Sequence, residues 1–154
     1  MLEDKVIVFQ KSHLDSSEEA LDYVSHLLLQ SGAVKESYPN AIQEREKVFP
    51  TGLMFSDYGV AIPHTDIEHV NYSQMAIVSL KNPVVFQQMG NGEDVEVNII
   101  FMLALKEAHQ QVDLLSQLIE LFQNKVLLKT LLALGNERSA IDQALGLLKA
   151  QGIE

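Results

Sequence analysis

The chain has 154 residues, enough for one domain with a substantial core, and its 47% hydrophobic and 21% charged content excludes a disordered protein. Twenty-one acidic residues against 11 Lys and Arg give a net charge of −10, and no basic cluster is present to displace counterions from phosphate, which excludes a nucleic-acid binder. The absence of cysteine excludes disulfides, thiolate chemistry and a phosphocysteine carrier.

The opening Met1-Leu2-Glu3-Asp4-Lys5 lacks the basic lead and apolar region of a secretory leader, and a cytoplasmic protein is expected. Val6-Ile7-Val8-Phe9 reads as a short strand. Ser16 then opens a helix, with Glu19 three residues on in the capping-box pattern. Ala20, Leu21, Val24, Leu27 and Leu28 recur at helical spacing until Gly32 stops the run. A second helix begins near Pro39, where a missing N–H costs nothing, and carries Ala41 to Val48.

Pro50-Thr51-Gly52 punctuates the chain before a β-rich middle. Three strands are expected there: Gly59-Val60-Ala61-Ile62, Gln74 to Leu80, and Val84-Val85-Phe86. The turn Gly90-Asn91-Gly92 precedes Val95 to Leu105, whose nearly continuous apolar content suits a central strand covered on both faces. Its longest apolar run, residues 99–105, ends at Lys106 and is far too short to cross a bilayer, so no membrane insertion is expected. Beyond His109 the spacing turns helical, with Val112, Leu115, Leu118, Ile119 and Phe122 in one stripe. Helices around Lys125 to Leu134 and Glu137 to Gln151 follow, parted by Gly135-Asn136. No repeat or linker divides residues 1–154. The order predicts a single α/β domain with a mixed sheet sandwiched between helices.

The most informative segment is Gly59-Val60-Ala61-Ile62-Pro63-His64. A short apolar strand delivers its last residues to the sheet margin, Pro63 restrains the backbone, and His64 stands where a rigid scaffold commonly holds a reactive group. Alone, such a histidine is more often an ordinary loop residue. This segment, however, resembles the phosphorylation-site signature of the mannitol/fructose class (type 2) of enzyme IIA of the bacterial sugar phosphotransferase system: a small residue, an apolar stretch containing Ala, then Pro-His. Arg45-Glu46 with Pro50-Thr51 resembles that family's arginine-bearing helix end and following turn. His109-Gln110-Gln111-Val112 resembles its second active-site histidine. The resemblance spans about Ala20 to Leu148. Phe49-Pro50-Thr51-Gly52-Leu53-Met54 and Phe86-Gln87-Gln88 are most similar to galactitol-type members.

The resemblance implies a phosphotransferase component that needs no cofactor or metal. His64 would accept a phosphoryl group from the carrier protein HPr and pass it to a cysteine of an enzyme IIB partner, while a membrane enzyme IIC moves the sugar or sugar alcohol, galactitol by likeness. A neutral imidazole is a good nucleophile near neutral pH, and its phosphoramidate is labile enough to hand the group on. His109, at the first turn of its helix, would donate to the phosphoryl oxygens or orient His64; its other role would be helix capping. Arg45 is either a forked cationic donor for the same oxygens or a solvated residue paired with Glu44 or Glu46, and both readings stay open. Thr51 and Thr65 are supporting hydroxyl donors or plain turn residues. A metal site from His64, Asp66, His69 and His109 is not expected, because the spacing fits neither a helix face nor a strand face. A protein that reports phosphorylation state to a regulatory partner would show the same residues, and an interaction module without chemistry is the third alternative.

Overall fold

The computed structural model describes residues 1–55 and 57–153. In chain order the elements are β1 (Ile7–Lys11), α1 (Ser17–Ser31), α2 (Tyr38–Val48), β2 (Gly52–Phe55), β3 (Tyr58–Ala61), β4 (Gln74–Gln87), β5 (Asp94–Ala104), α3 (Ala108–Gln123), α4 (Lys125–Ala133) and α5 (Arg138–Ala150). Single 3-10 turns cover Asp4–Val6 and Ile67–His69.

Local chemistry sets the helix ends. The Ser16 hydroxyl accepts from the Glu19 N–H at 3.1 Å, as its capping pattern requires. The reciprocal bond is displaced by one residue: the Glu19 carboxylate takes the N–H of Asp15 instead of that of Ser16. Gly32 closes α1 in the left-handed region at φ 89°. Pro39 occupies the first turn of α2.

The five strands are ordered β1-β4-β5-β3-β2. β1 runs parallel to β4 and β3 parallel to β5, while β4–β5 and β3–β2 are antiparallel, so the sheet is mixed. Its centre is β5, and alternation along that strand divides the core in two. Ile100, Met102 and Ala104 face α1 and α2 together with Ala76 and Val78 of β4. Ile99, Phe101 and Leu103 face the other way with Met75 and Ile77, against Leu114, Leu118, Leu121 and Phe122 of α3 and the apolar stripes of α4 and α5. The sheet is therefore a middle layer between two helices and three helices, as the sequence pattern predicts.

Two expectations in the β-rich middle are corrected. Gln74 to Leu80 and Val84 to Phe86 belong to one strand, β4, which continues through Pro83. β1 pairs with β4 only as far as Leu80, and the register against β5 slips between Ser79 and Val84, so Pro83 sits in an exposed irregular stretch where its absent N–H is not needed. β2 has no counterpart in the predicted elements. It is a four-residue outer strand with one fully buried position, too short for alternation to mark it.

β1 forms the opposite margin of the sheet. Its outward backbone at Phe9 is met by the Asn136 side chain, which accepts from the Phe9 N–H at 2.7 Å and donates to the Phe9 carbonyl at 2.8 Å. Next to it, Gln10 adopts φ 54° and donates its N–H to the buried Ser79 hydroxyl.

The C-terminal end of β5 joins these layers. Tyr38, wholly buried at the start of α2, donates its hydroxyl to the Leu103 carbonyl at 2.8 Å, and burial pushes the phenol's pKa upward. Tyr38→Phe deletes that bond without opening a cavity. It should lower the unfolding free energy by about 1 kcal/mol, measured by urea denaturation at unchanged m-value.

Candidate functional site

β3 can lie against β5 only because residue 59 is glycine. A methyl group there would collide with the Glu96 carbonyl, and the Gly59 N–H is held by the Asn98 side chain at 3.0 Å. Past Ala61 the backbone stays tied on both sides. Ile62 donates its N–H to the Thr51 carbonyl, and the Pro63 carbonyl accepts from the Leu103 N–H at 2.9 Å. The next residue, His64, bridges to Leu103 beside the end of β5.

The His64 ring is half-buried, with Nδ1 2.9 Å from the carbonyl of Ile62. A carbonyl can only accept, so Nδ1 carries the proton and Nε2 holds the free lone pair in the neutral ring. Burial lowers the His64 pKa from its ordinary 6.5. The bond to Ile62 opposes that shift, and the Arg45 charge adds to it.

His64 opens into a cleft of about 400 Å³, bounded by Arg45, Thr65 and residues 66–68 on one side and by Ala108 and Gln111 on the other. Arg45, in the last turn of α2, lies 4.4 Å over the Phe49 ring, with Nη1 3.8 Å from Asp66. Its Nε is buried and has no hydrogen-bond partner among the described residues. The pairing with Glu44 or Glu46 that the sequence leaves open is not formed. Glu44 pairs with Lys47, and Glu46 turns inward to take the Thr51 N–H at 2.8 Å and the Thr51 hydroxyl at 3.0 and 3.1 Å. Burial raises the Glu46 pKa against the opposing effect of those bonds.

Of the residues singled out in the sequence, His64, Arg45 and Thr65 share this cleft. Thr51 does not line it. Its side chain is buried against Glu46, and its carbonyl braces the strand end that carries His64. His109 does not line it either. Its ring is exposed, 3.2 Å from Glu107, and borders a separate hollow with Met1, Asp113 and Ile153. On a helix, positions 109 and 111 are about 200° apart, so they face opposite sides. Gln111 is the polar residue of this turn that lines the His64 cleft, and it is not among the residues the sequence pattern singles out. Its signal was present: Gln111 precedes Leu114 and Leu118, both buried, by three and seven residues and thus continues their face. The start of α3, where Glu107 makes no side-chain cap bond, also borders the cleft at Ala108, which brings the positive end of the helix near it. His26 and His69 are engaged elsewhere, with Asp22 and with Ser37. A groove of similar volume between Lys11–Glu18 and Asn82–Val85 lies away from these groups.

The electrostatics are directly measurable. In an NMR titration of the ring protons the His64 midpoint should lie below 6.5, because the neutral form is favoured in the fold. Arg45→Gln removes one of the two lowering influences and should move that midpoint upward; a downward shift would contradict the arrangement.

The Phosphoenolpyruvate-dependent sugar phosphotransferase system, EIIA 2 family model matches residues 1–145. The galactitol-specific EIIA component of Escherichia coli strain K12 is 33% identical over 123 residues, covering 80% of this chain and 81% of the relative. Among solved structures, mannitol IIA from Escherichia coli superposes with a TM-score of 0.76 at 20% identity, covering 96% of this chain and 99% of the other. The complex of enzyme IIA-mannitol with phosphorylated enzyme IIB-mannitol, also from Escherichia coli, contains a chain with a TM-score of 0.76 at 23% identity, covering 97% and 99%. The chain belongs to the type 2 EIIA family of the phosphoenolpyruvate-dependent sugar phosphotransferase system and is a phosphotransferase component.

Proposed function

We propose that Nε2 of His64 accepts a phosphoryl group from phospho-HPr and passes it to a cysteine of an enzyme IIB partner, in service of galactitol uptake through a membrane enzyme IIC. The observation that carries this reading is the fixed tautomer: Nδ1–H is spent on the Ile62 carbonyl, so Nε2 is the ring's only nucleophilic atom. HPr is the donor that the family's chemistry calls for. The choice of IIB as acceptor draws on the mannitol IIA–IIB complex, and that of galactitol on the galactitol-specific relative. Among the described residues no helix is long and apolar enough to cross a membrane, in keeping with a cytoplasmic carrier.

Charging forms an N–P bond at Nε2 as the donor's N–P bond breaks, and only PO3 moves between the two nitrogens. Because Nδ1 keeps its proton, the phosphorylated ring is cationic and the Ile62 carbonyl shares that charge. Onward attack by a thiolate then releases a neutral imidazole, a good leaving group. Arg45 and the start of α3 stand on either side of the cleft and neutralise the three equatorial oxygens during both steps. Arg45 exchanges its long contact with Asp66 for the phosphoryl group, and stacking on Phe49 keeps the guanidinium from swinging away. Exposed apolar side chains stand at and near the cleft: Ile67 lines it, and Phe49 lies under Arg45. With acidic residues around them, they suit brief docking of a partner with a basic, partly apolar face.

Incubation with enzyme I, HPr and phosphoenolpyruvate should add one acid-labile phosphoryl group to the wild type and none to His64→Ala, read by intact-mass analysis. Arg45→Gln should still be charged, but roughly 10-fold or more slowly, the loss expected for one charge-assisted hydrogen bond. Charged protein should discharge onto a galactitol-type IIB faster than onto a mannitol-type IIB. A wild type that stays unmodified would end the carrier reading, and the reverse IIB preference would end the galactitol assignment.

A further inference from the structure

Resting on the carrier reading above, we propose that the side-chain amide of Gln111 hydrogen-bonds the phosphoryl group on His64, making it a catalytic residue of both transfer steps.

Three polar residues follow one another at the start of α3, and their surroundings separate them. His109 is turned out to Glu107 and a different hollow. Gln110 is committed: its Oε1 accepts from the Ser73 hydroxyl at 2.7 Å, and that hydroxyl in turn accepts from the Lys106 N–H at 2.9 Å, which braces the turn between β5 and α3. Gln111 alone of the three lines the cleft with His64 and Arg45. It is half-buried there, and its amide has no hydrogen-bond partner among the described residues, whereas that of its neighbour does. A half-buried residue whose amide has no partner within the described residues, lining a cleft that holds a nucleophile and a guanidinium, is poised to give its N–H groups to an oxyanion.

A neutral donor has distinct consequences. The amide neither gains nor loses a proton across the working range, so its contribution does not vary with pH. It also adds no second full positive charge to hold the group in place. The carried phosphoryl group is therefore steadied by one permanent cation and by dipoles, which suits a carrier that must release what it receives.

The test compares Gln111→Met, Gln111→Glu, Gln111→His and His109→Ala with wild type. Rates of charging from phospho-HPr and of discharge to IIB are measured from pH 6 to 9, with thermal melts to verify folding. Gln111→Met, similar in size but without donors, should slow both transfers roughly 10- to 100-fold at an unchanged melting temperature. Gln111→Glu should be slower still across this range, because its carboxylate is ionised and repels the phosphoryl oxygens. Gln111→His should recover much of the rate and add an inflection near the ordinary imidazole pKa that wild type lacks. A charged wild type with Gln111→Met transferring at the same rate would overturn the proposal while leaving the carrier reading intact, as would a larger loss in His109→Ala. An uncharged wild type would instead overturn the carrier reading, and this assignment with it.

Discussion

The backbone of Leu103, near the end of the central strand, is the point through which the rest of the molecule is coordinated. Its N–H is taken by the Pro63 carbonyl, and its own carbonyl takes the buried Tyr38 hydroxyl. One residue thus ties the segment presenting His64 to the helix presenting Arg45. A second route runs from the end of α2: Glu46 holds Thr51, Thr51 holds Ile62, and Ile62 holds the imidazole. Both routes use backbone groups that must be paired in any case once buried, so the placement of the reactive ring is a by-product of satisfying them.

The charge pattern around the cleft follows a related logic. On the proposed reading a protein of net charge −10 receives an anionic group in a cleft that Arg45 lines with His64, and Asp66 is within reach of that same guanidinium. More positive charge would bind the phosphoryl group more firmly without speeding its departure, since only interactions strengthened in the transition state accelerate a transfer. Burial and Arg45 both favour the neutral imidazole, the reactive form, and the Ile62 carbonyl limits how far that preference goes. The acidic exterior favours encounter with basic partners at the expense of other acidic proteins.

Much of this was legible in the residues. Ser16 and Gly32 bracket α1, Pro39 opens α2, and the apolar run of β5 marks a strand covered twice, because each depends on local chemistry or on period alone. His64 stood out through the resemblance that Gly59 to His64 carries together with Arg45-Glu46 and His109-Gln110; Pro-His at the end of a short apolar strand would by itself read as a loop histidine. Other features were hidden because they are set by partners distant in sequence. β2 exists only as an outer strand against β3, and β4 survives Pro83 only because β1 has already ended beside it. The first turn of α3 shows the limit most clearly. A histidine and two glutamines stand side by side, and which one meets His64 depends on the rotation of the helix about its axis. That rotation is set by Leu114, Leu118 and Leu121 packing under the sheet. The resemblance to the family's second histidine points to His109, while packing brings Gln111 to the cleft.

The Asn136 side chain has a consequence beyond bracing a loop. A strand at the rim of a sheet offers unpaired peptide groups to any extended chain that comes near, and β1 is such a strand. By satisfying both polar groups of Phe9, the amide imitates one residue of an additional neighbour, and the left-handed Gln10 then bends the rim out of line. At Phe9 the margin is closed to intruding polypeptide by a single side chain, with a kink beside it. A carrier that repeatedly meets other proteins thereby offers less unpaired backbone at this rim, away from the strand that delivers the imidazole.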